Sequence, residues 1–162
     1  MHFRLAALVV AGAVFAADRI SKAIIESRVT TWETIVVIPG LFNIVHTRNP
    51  GAAFSLLATA DEGWRSVLLI GLSLIAVTLL ALLLWRPPQP ADAPRWALAL
   101  MLGGALGNLY DRVVAGEVTD FLEFYLGSYR WPAFNLADSA ISLGAAWIVL
   151  DLWRSRRARR DP

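Results

Sequence analysis

Hydrophobic positions along this chain gather into long charge-poor runs separated by short polar stretches. Ser66 to Trp85, "SVLLIGLSLIAVTLLALLLW", continues for about twenty residues without a charge, the helical length that crosses a hydrocarbon core of ~30 Å. Trp96 to Tyr110, "WALALMLGGALGNLY", is shorter and reaches spanning length if its helix continues past the flanking charges. Trp131 to Leu150, "WPAFNLADSAISLGAAWIVL", has the length and carries one acid, Asp138. At the N-terminus, "MHFRLAALVVAGAVFAAD" is followed by "DRISKAII", which keeps a helical pattern: Ile20, Ala23 and Ile24 share one face, and Asp18 stands four residues before Lys22, a favourable helix pair. The pattern predicts four transmembrane helices, at about residues 4–25, 64–85, 95–111 and 132–153, in one integral membrane domain covering 1–162. Trp96, Tyr110, Trp131 and Trp153 fall near span ends, where aromatic side chains anchor at the interface. The competing reading of the first run is a secretory signal peptide cleaved near Ala17, which would leave three spans. The helical pattern that continues through Ile24 favours an uncleaved helix.

Between the first two spans the period changes. "TIVVIPGLFNIVHT" sets two β-branched and aromatic runs around Pro39-Gly40, a turn pair, and predicts a β-hairpin on the membrane surface within about residues 26–60. "RPPQPADAPR", Arg86 to Arg95, reads as a proline-rich irregular connector. Arg4, this connector and the arginine-rich tail lie on one side of the four-span arrangement, so the positive-inside rule assigns that side and both termini to the cytoplasm. The loops at about 26–63 and 112–131 then face outward.

Composition agrees with the spans and narrows the chemistry. The 162 residues are 57% hydrophobic and 17% charged, with mean hydropathy +0.54, against roughly 25% charge in soluble domains. The net charge of +2 does not call for nucleic acid, because five of the fifteen basic residues lie in the last nine positions. Without cysteine, and with only His2 and His46, no metal site and no cofactor are expected.

Ionisable groups at membrane depth are costly and therefore informative. Asp18 and Lys22 read as a surface helix pair at a span end; a Ser21–Lys22 dyad is disfavoured because adjacent helical residues point about 100° apart. In "TRNPGAAFSLL", Asn49-Pro50-Gly51 signals a turn, followed by small Ala52 and Ala53 before Phe54. In "GGALGNLYDR", Gly103 and Gly107 make a flat face for helix packing, and Asn108, Asp111 and Arg112 cluster at the outer end. Asp120, in an outer loop, and Asp138, after Asn135 at the outward end of the last span, are two carboxylates at one depth joined by a short segment. At about 4 Å and an effective dielectric of about 20, two such charges repel by roughly 4 kcal/mol, so the pair would share a proton near neutral pH. That is the arrangement of aspartic peptidase chemistry, in which one carboxylate takes a proton from water and the other acid donates to the carbonyl. On residues alone this stands beside a structural polar cluster, a small transporter using Asp120, Asp138 and Arg112, and a non-catalytic assembly module.

Read in order, "DRISK", "NPGAAFS", "GGALGNLYDR", "VTDF" and "FNLADS" resemble the lipoprotein signal peptidases, or type II signal peptidases, over nearly the whole chain. The resemblance implies an all-α membrane fold: a bundle of four transmembrane helices with a small extracytoplasmic β-cradle between helices 1 and 2 and a short extracytoplasmic helical segment between helices 3 and 4. It implies a monomer in the bacterial inner membrane that removes signal peptides from diacylglyceryl-modified prolipoproteins, cutting N-terminal to the lipidated cysteine, with membrane lipid as its other partner. Asp120 and Asp138 match the family's catalytic aspartates. Asn49, Asn108, Arg112 and Asn135 match polar residues that contact substrate or orient the acids, and Asp18, Lys22 and Asp111 match supporting positions. Gly104, with Ala105 and Gly107, is expected to open room for lipid and small substrate side chains.

Overall fold

The computed structural model describes residues 2–51, 62–87 and 93–158. Among these are four helices, α1 (His2–Arg28), α2 (Glu62–Trp85), α3 (Ala93–Ala115) and α4 (Leu136–Ala158), and four strands, β1 (Thr34–Ile38), β2 (Phe42–Asn49), β3 (Val118–Leu126) and β4 (Tyr129–Arg130). Two helical stretches are long and apolar enough to cross a membrane, Gly63–Trp85 and Leu136–Arg157. Only 6% of the apolar window of the first is buried within the protein; Trp64, Leu72, Leu74, Leu79 and Leu82 face outward, as lipid-contacting side chains do, while Leu84 joins the core. The proline-rich connector and Ala52 to Ser55 of the "NPGAAFS" stretch fall largely or wholly outside the described residues.

Helix α3 is central and packs on α1, α2 and α4. Small residues allow the approach: Ala7, Ala11, Ala97, Ala99, Ala137 and Ala140 are buried. A Cβ on Gly103 would lie 2.5 Å from the Ala11 carbonyl oxygen of α1, and one on Gly104 would lie 2.4 Å from the Ala137 carbonyl oxygen of α4. In lipid, where burying apolar surface between helices gains little, such close contact is what holds helices together. The flat face predicted at Gly103 is there. Gly104, however, opens no room for a ligand, because the backbone of α4 fills the space.

The predicted hairpin is present, with β1 and β2 joined through Pro39-Gly40 and Gly40 at φ 72°. The sheet nevertheless exceeds a cradle placed between helices 1 and 2. Its order is β1-β2-β3-β4, all neighbours antiparallel, and its second half comes from the segment between α3 and α4. The helical segment expected there is corrected to strand, and Asp120, expected in a loop, lies within β3. The reason is local: "VTDFLEFYL" is rich in β-branched and aromatic residues, which suit a pleated surface, and β2 offers a partner, with Phe42 opposite Phe124 and Asn49 opposite Val118. Ile25 and Val29 of α1 pack with Phe121, Ile44, Leu122 and Leu136, fixing the sheet to the end of the bundle where α4 begins.

Candidate active site

A one-residue bulge in β2 sets the first half of the site. Ile44 pairs with Leu122 and Thr47 with Asp120, so three steps on β2 match two on β3, the kind of irregularity that re-aims side chains beside a functional centre. Beyond it, Asn49 donates its side-chain N–H to Asp120 Oδ2 at 2.9 Å, while its own Oδ1 accepts the Gly51 N–H at 2.9 Å. Gly51 takes φ 88°, a left-handed conformation that glycine adopts without strain, so the chain changes direction directly after this side-chain turn. Thr47 Oγ1 donates to the Asp120 carbonyl at 3.2 Å.

The second half is the start of α4, where Asn135 is the N-cap. Its Oδ1 accepts the Asp138 N–H at 2.9 Å, and Asp138 Oδ2 accepts the Asn135 N–H at 3.3 Å, a reciprocal capping box with Asp in place of the usual Glu. The next free N–H of the helix, that of Ala137, donates to Asp18 Oδ1 of α1 at 2.9 Å. One cap thus fixes the backbone and side chain of Asp138 in the first helical turn, where a negative group is favoured.

Asn135 also reaches across to β3, donating from Nδ2 to Asp120 Oδ1 at 2.7 Å. Asn108 of α3 donates to Asp138 Oδ1 at 2.7 Å, and its Oδ1 accepts from Asn135 at 3.3 Å and from Lys22 Nζ at 3.1 Å. The two aspartates are therefore the ends of an amide relay, Asp120–Asn135–Asn108–Asp138. All three asparagines singled out from sequence direct N–H groups at the acids. Arg112 donates to the Asn108 carbonyl at 3.2 Å, and its guanidinium stands near enough to Asp138 and Asp120 for their charges to act on it.

Beneath this lies a buried ionic cluster. Lys22 Nζ is 2.7 Å from Asp18 Oδ2 and 2.6 Å from Asp111 Oδ2, and both Asp18 and Lys22 are fully buried. Arg19, which the sequence reading did not single out, pairs with Asp111 and lies over the Tyr110 ring. The i,i+4 pair is as predicted, but its surface position is corrected. Ile20, Ala23 and Ile24 form the outward face of α1 and the charged residues form the inward one, the inverse of a soluble helix. Gly107 makes this possible, because a Cβ there would lie 2.4 Å from Asp18 Oδ2.

Asp120 is buried, and burial pushes its carboxyl up to about 6 from the ordinary 3.8; the charge of Asp138 pushes the same way, while the amides of Asn49 and Asn135 and the charge of Lys22 pull back. A group that desolvation and a second carboxylate bring toward neutrality has the profile of an acid–base catalyst. Clefts open on both sides of the pair. One, of 560 Å³, is lined by Phe124, Trp131, Phe134, Asp138, Ser139 and Ser142, so it passes Asp138 and follows α4. The other, of 430 Å³, includes Thr47, Arg48, Asn49, Asp120, Arg130 and Pro132. Among the described residues no group of three or more His, Asp or Glu side chains is disposed to hold a metal ion.

The family model described as Signal peptidase (SPase) II matches residues 10–154. The chain is 44% identical over 148 residues to the lipoprotein signal peptidase of Solibacter usitatus, covering 91% of this chain and 90% of that one. It is 42% identical over 146 residues to the lipoprotein signal peptidase of Vibrio cholerae, covering 90% and 85%. Among solved structures, one titled as a bacterial membrane enzyme determined by the in meso method at 2.3 Å superposes with a TM-score of 0.84 at 29% identity, covering 97% of this chain and 93% of that one. A second of the same description, at 1.9 Å, gives 0.80 at 31% identity, covering 91% and 92%.

Proposed function

The chain belongs to the lipoprotein signal peptidase family, signal peptidase II, which are membrane aspartic peptidases, and on that premise we propose that Asp120 and Asp138 are its catalytic pair. The observation that carries the assignment is the amide relay, which joins two carboxylates on different elements, Asp120 of β3 and Asp138 of α4, through Asn135 and Asn108, with clefts open on either side.

The reaction is hydrolysis of the peptide bond N-terminal to a diacylglyceryl-modified cysteine. Asp120, whose carboxyl is raised to about 6, holds the shared proton, and Asp138, in the first turn of α4 with Arg112 nearby, is the ionised partner. Asp138 takes a proton from a water as its oxygen attacks the scissile carbonyl carbon, and Asp120 donates its proton to the carbonyl oxygen. Asp138 then returns a proton to the leaving amine nitrogen while Asp120 recovers one from the tetrahedral hydroxyl, so the pair ends as it began. Asn49, Asn108 and Asn135 hold the carboxylates in place throughout, which saves reorganisation at the moment of reaction.

The same reading extends the two candidate spans to four crossings. Arg86, Arg95, Arg154, Arg156 and Arg157 lie at the helix ends remote from the aspartates, which supports cytoplasmic termini and a site at the outer membrane face. The aromatic cleft along α4 then opens at the level of the lipid, where a diacylglyceryl cysteine and the end of an apolar signal segment are held.

The test is cleavage of a diacylglyceryl-modified prolipoprotein by the purified protein in the presence of a chelator. Asp120→Asn and Asp138→Asn, each folded, are expected to lose turnover by about 10⁴-fold or more, the scale of losing an essential catalytic group. A folded Asp138→Asn variant with near-normal turnover would remove the dyad.

A further inference from the structure

The cleft beside Asp120 contains two cations that the peptidase chemistry does not use, Arg48 at the end of β2 and Arg130 on β4. Each is held from behind by an acid. Arg130 pairs with Glu123, and Arg48 Nη1 donates to Glu117 Oε1 at 2.9 Å. The arrangement is asymmetric: the Glu123 side chain is 1% exposed, whereas that of Arg130 is 60% exposed, and for Glu117 and Arg48 the figures are 29% and 45%. Glu123 is fixed in the sheet by further donors, Asn43 Nδ2 at 3.2 Å and the Tyr125 hydroxyl at 3.0 Å. In each pair the acid is the more buried end, and the more exposed arginine lines the cleft. The opposite cleft, past Asp138, has an aromatic wall and follows α4.

This asymmetry gives the site a direction, granted the peptidase reading above. A substrate whose one side is membrane-held lays that side along the aromatic cleft, and the chain emerging from the membrane leaves past Asp120. We propose that Arg48 and Arg130 form a specificity subsite for acidic side chains in the two or three residues that follow the lipidated cysteine. Glu123 and Glu117 are the residues that position these arginines. Because the arginines are partly exposed, the contribution is modest and screened by salt, and it appears as weaker or tighter binding in KM more than in kcat.

The experiment compares three diacylglyceryl-modified synthetic prolipopeptides, identical except for Asp, Asn or Lys at the second and third positions after the cysteine. Each is cleaved by the wild type, Arg130→Gln, Arg48→Gln and the double variant, at low and high ionic strength. The acidic-to-neutral ratio of kcat/KM is taken within each preparation, so it does not depend on the fraction folded, and Arg48→Gln provides a second route if loss of Arg130 leaves Glu123 unpaired and destabilises the sheet. In the wild type the Asp peptide is expected to exceed the Asn peptide by about two- to fivefold per charge, with the Lys peptide lowest. The ratio should fall toward one in the double variant and at high salt. Equal cleavage of all three by the wild type, or an acidic preference that survives in the double variant, overturns the subsite and leaves the peptidase reading intact. Failure of the folded wild type to cleave any of them overturns both.

Discussion

Asp120→Asn tests the acid–base assignment through stability as well as turnover. Moving the carboxyl from the ordinary 3.8 to about 6 corresponds, at 1.36 kcal/mol per pH unit, to about 3 kcal/mol. The sign follows from proton binding. Between pH 3.8 and about 6 the folded protein holds a proton on Asp120 that the unfolded chain has released, so this group's contribution to stability falls as pH rises through that window. Below the window there is no penalty, and above it the full penalty applies. Asparagine at 120 does not titrate, but it is a poor isostere. Asp120 offers an acceptor oxygen to each of Asn49 and Asn135, and their own carbonyls are engaged by the Gly51 and Asp138 N–H groups. An amide at 120 therefore sets its NH₂ against one of these donors, at about 1–3 kcal/mol, whereas a protonated carboxyl keeps both oxygens as acceptors. The reliable observable is thus the change with pH, because the mismatch is constant and titrating groups that do not interact with Asp120 cancel between the two proteins. Relative to wild type, the variant should gain about 2.4 kcal/mol between pH 4 and 7.5, or about 5–10 °C in midpoint. The assay is unfolding in detergent micelles across that range. A difference that stays flat with pH would mean that Asp120 titrates like an ordinary carboxylate, and the shared-proton mechanism would lose its acid.

Other variants probe the supports. Asn135→Ala removes the cap of α4 and the bridge between the aspartates, so about 0.5–2 kcal/mol of stability should be lost together with a fall in kcat larger than any rise in KM, read by single-turnover cleavage. Lys22→Met leaves the fully buried Asp18 without its cation, while Asp111 keeps Arg19, and should destabilise by about 3–5 kcal/mol; a midpoint unchanged in micelles would show that the cluster is not buried as described. Gly104→Ala forces the Ala137 carbonyl, 2.4 Å away, to move with the start of α4 and Asp138, costing about 1–3 kcal/mol and most of the turnover. Gly71→Ala meets nothing within 4 Å and should be neutral or slightly stabilising in thermal unfolding.

Much of this molecule can be read locally. The apolar runs identify the helices because hydropathy over about twenty residues is a property of the segment itself, and Pro39-Gly40 between two β-branched runs fixes a hairpin for the same reason. The two aspartates and the asparagines around them are conspicuous because a polar group is costly at such depth. Long-range pairing is a different matter. "VTDFLEFYL" becomes strand because β2 stands beside it, and Asp120 meets the Asn49 amide only across that pairing, beyond the bulge in its partner strand.

The sequence by itself determined which segments are apolar, where the chain turns and which acids are out of place; these follow from the nature and order of the side chains. Tertiary structure alone decided which way the polar ones point. On α1 the Ile20 face and the Asp18–Lys22 face are equally periodic, and in water the first would be buried. In this protein the isoleucines face out and the ion pair turns inward, because α3 leaves room for it at Gly107 and the start of α4 offers it a free N–H. Helical spacing reports that two faces differ, and only the packing partners decide which of them is inside.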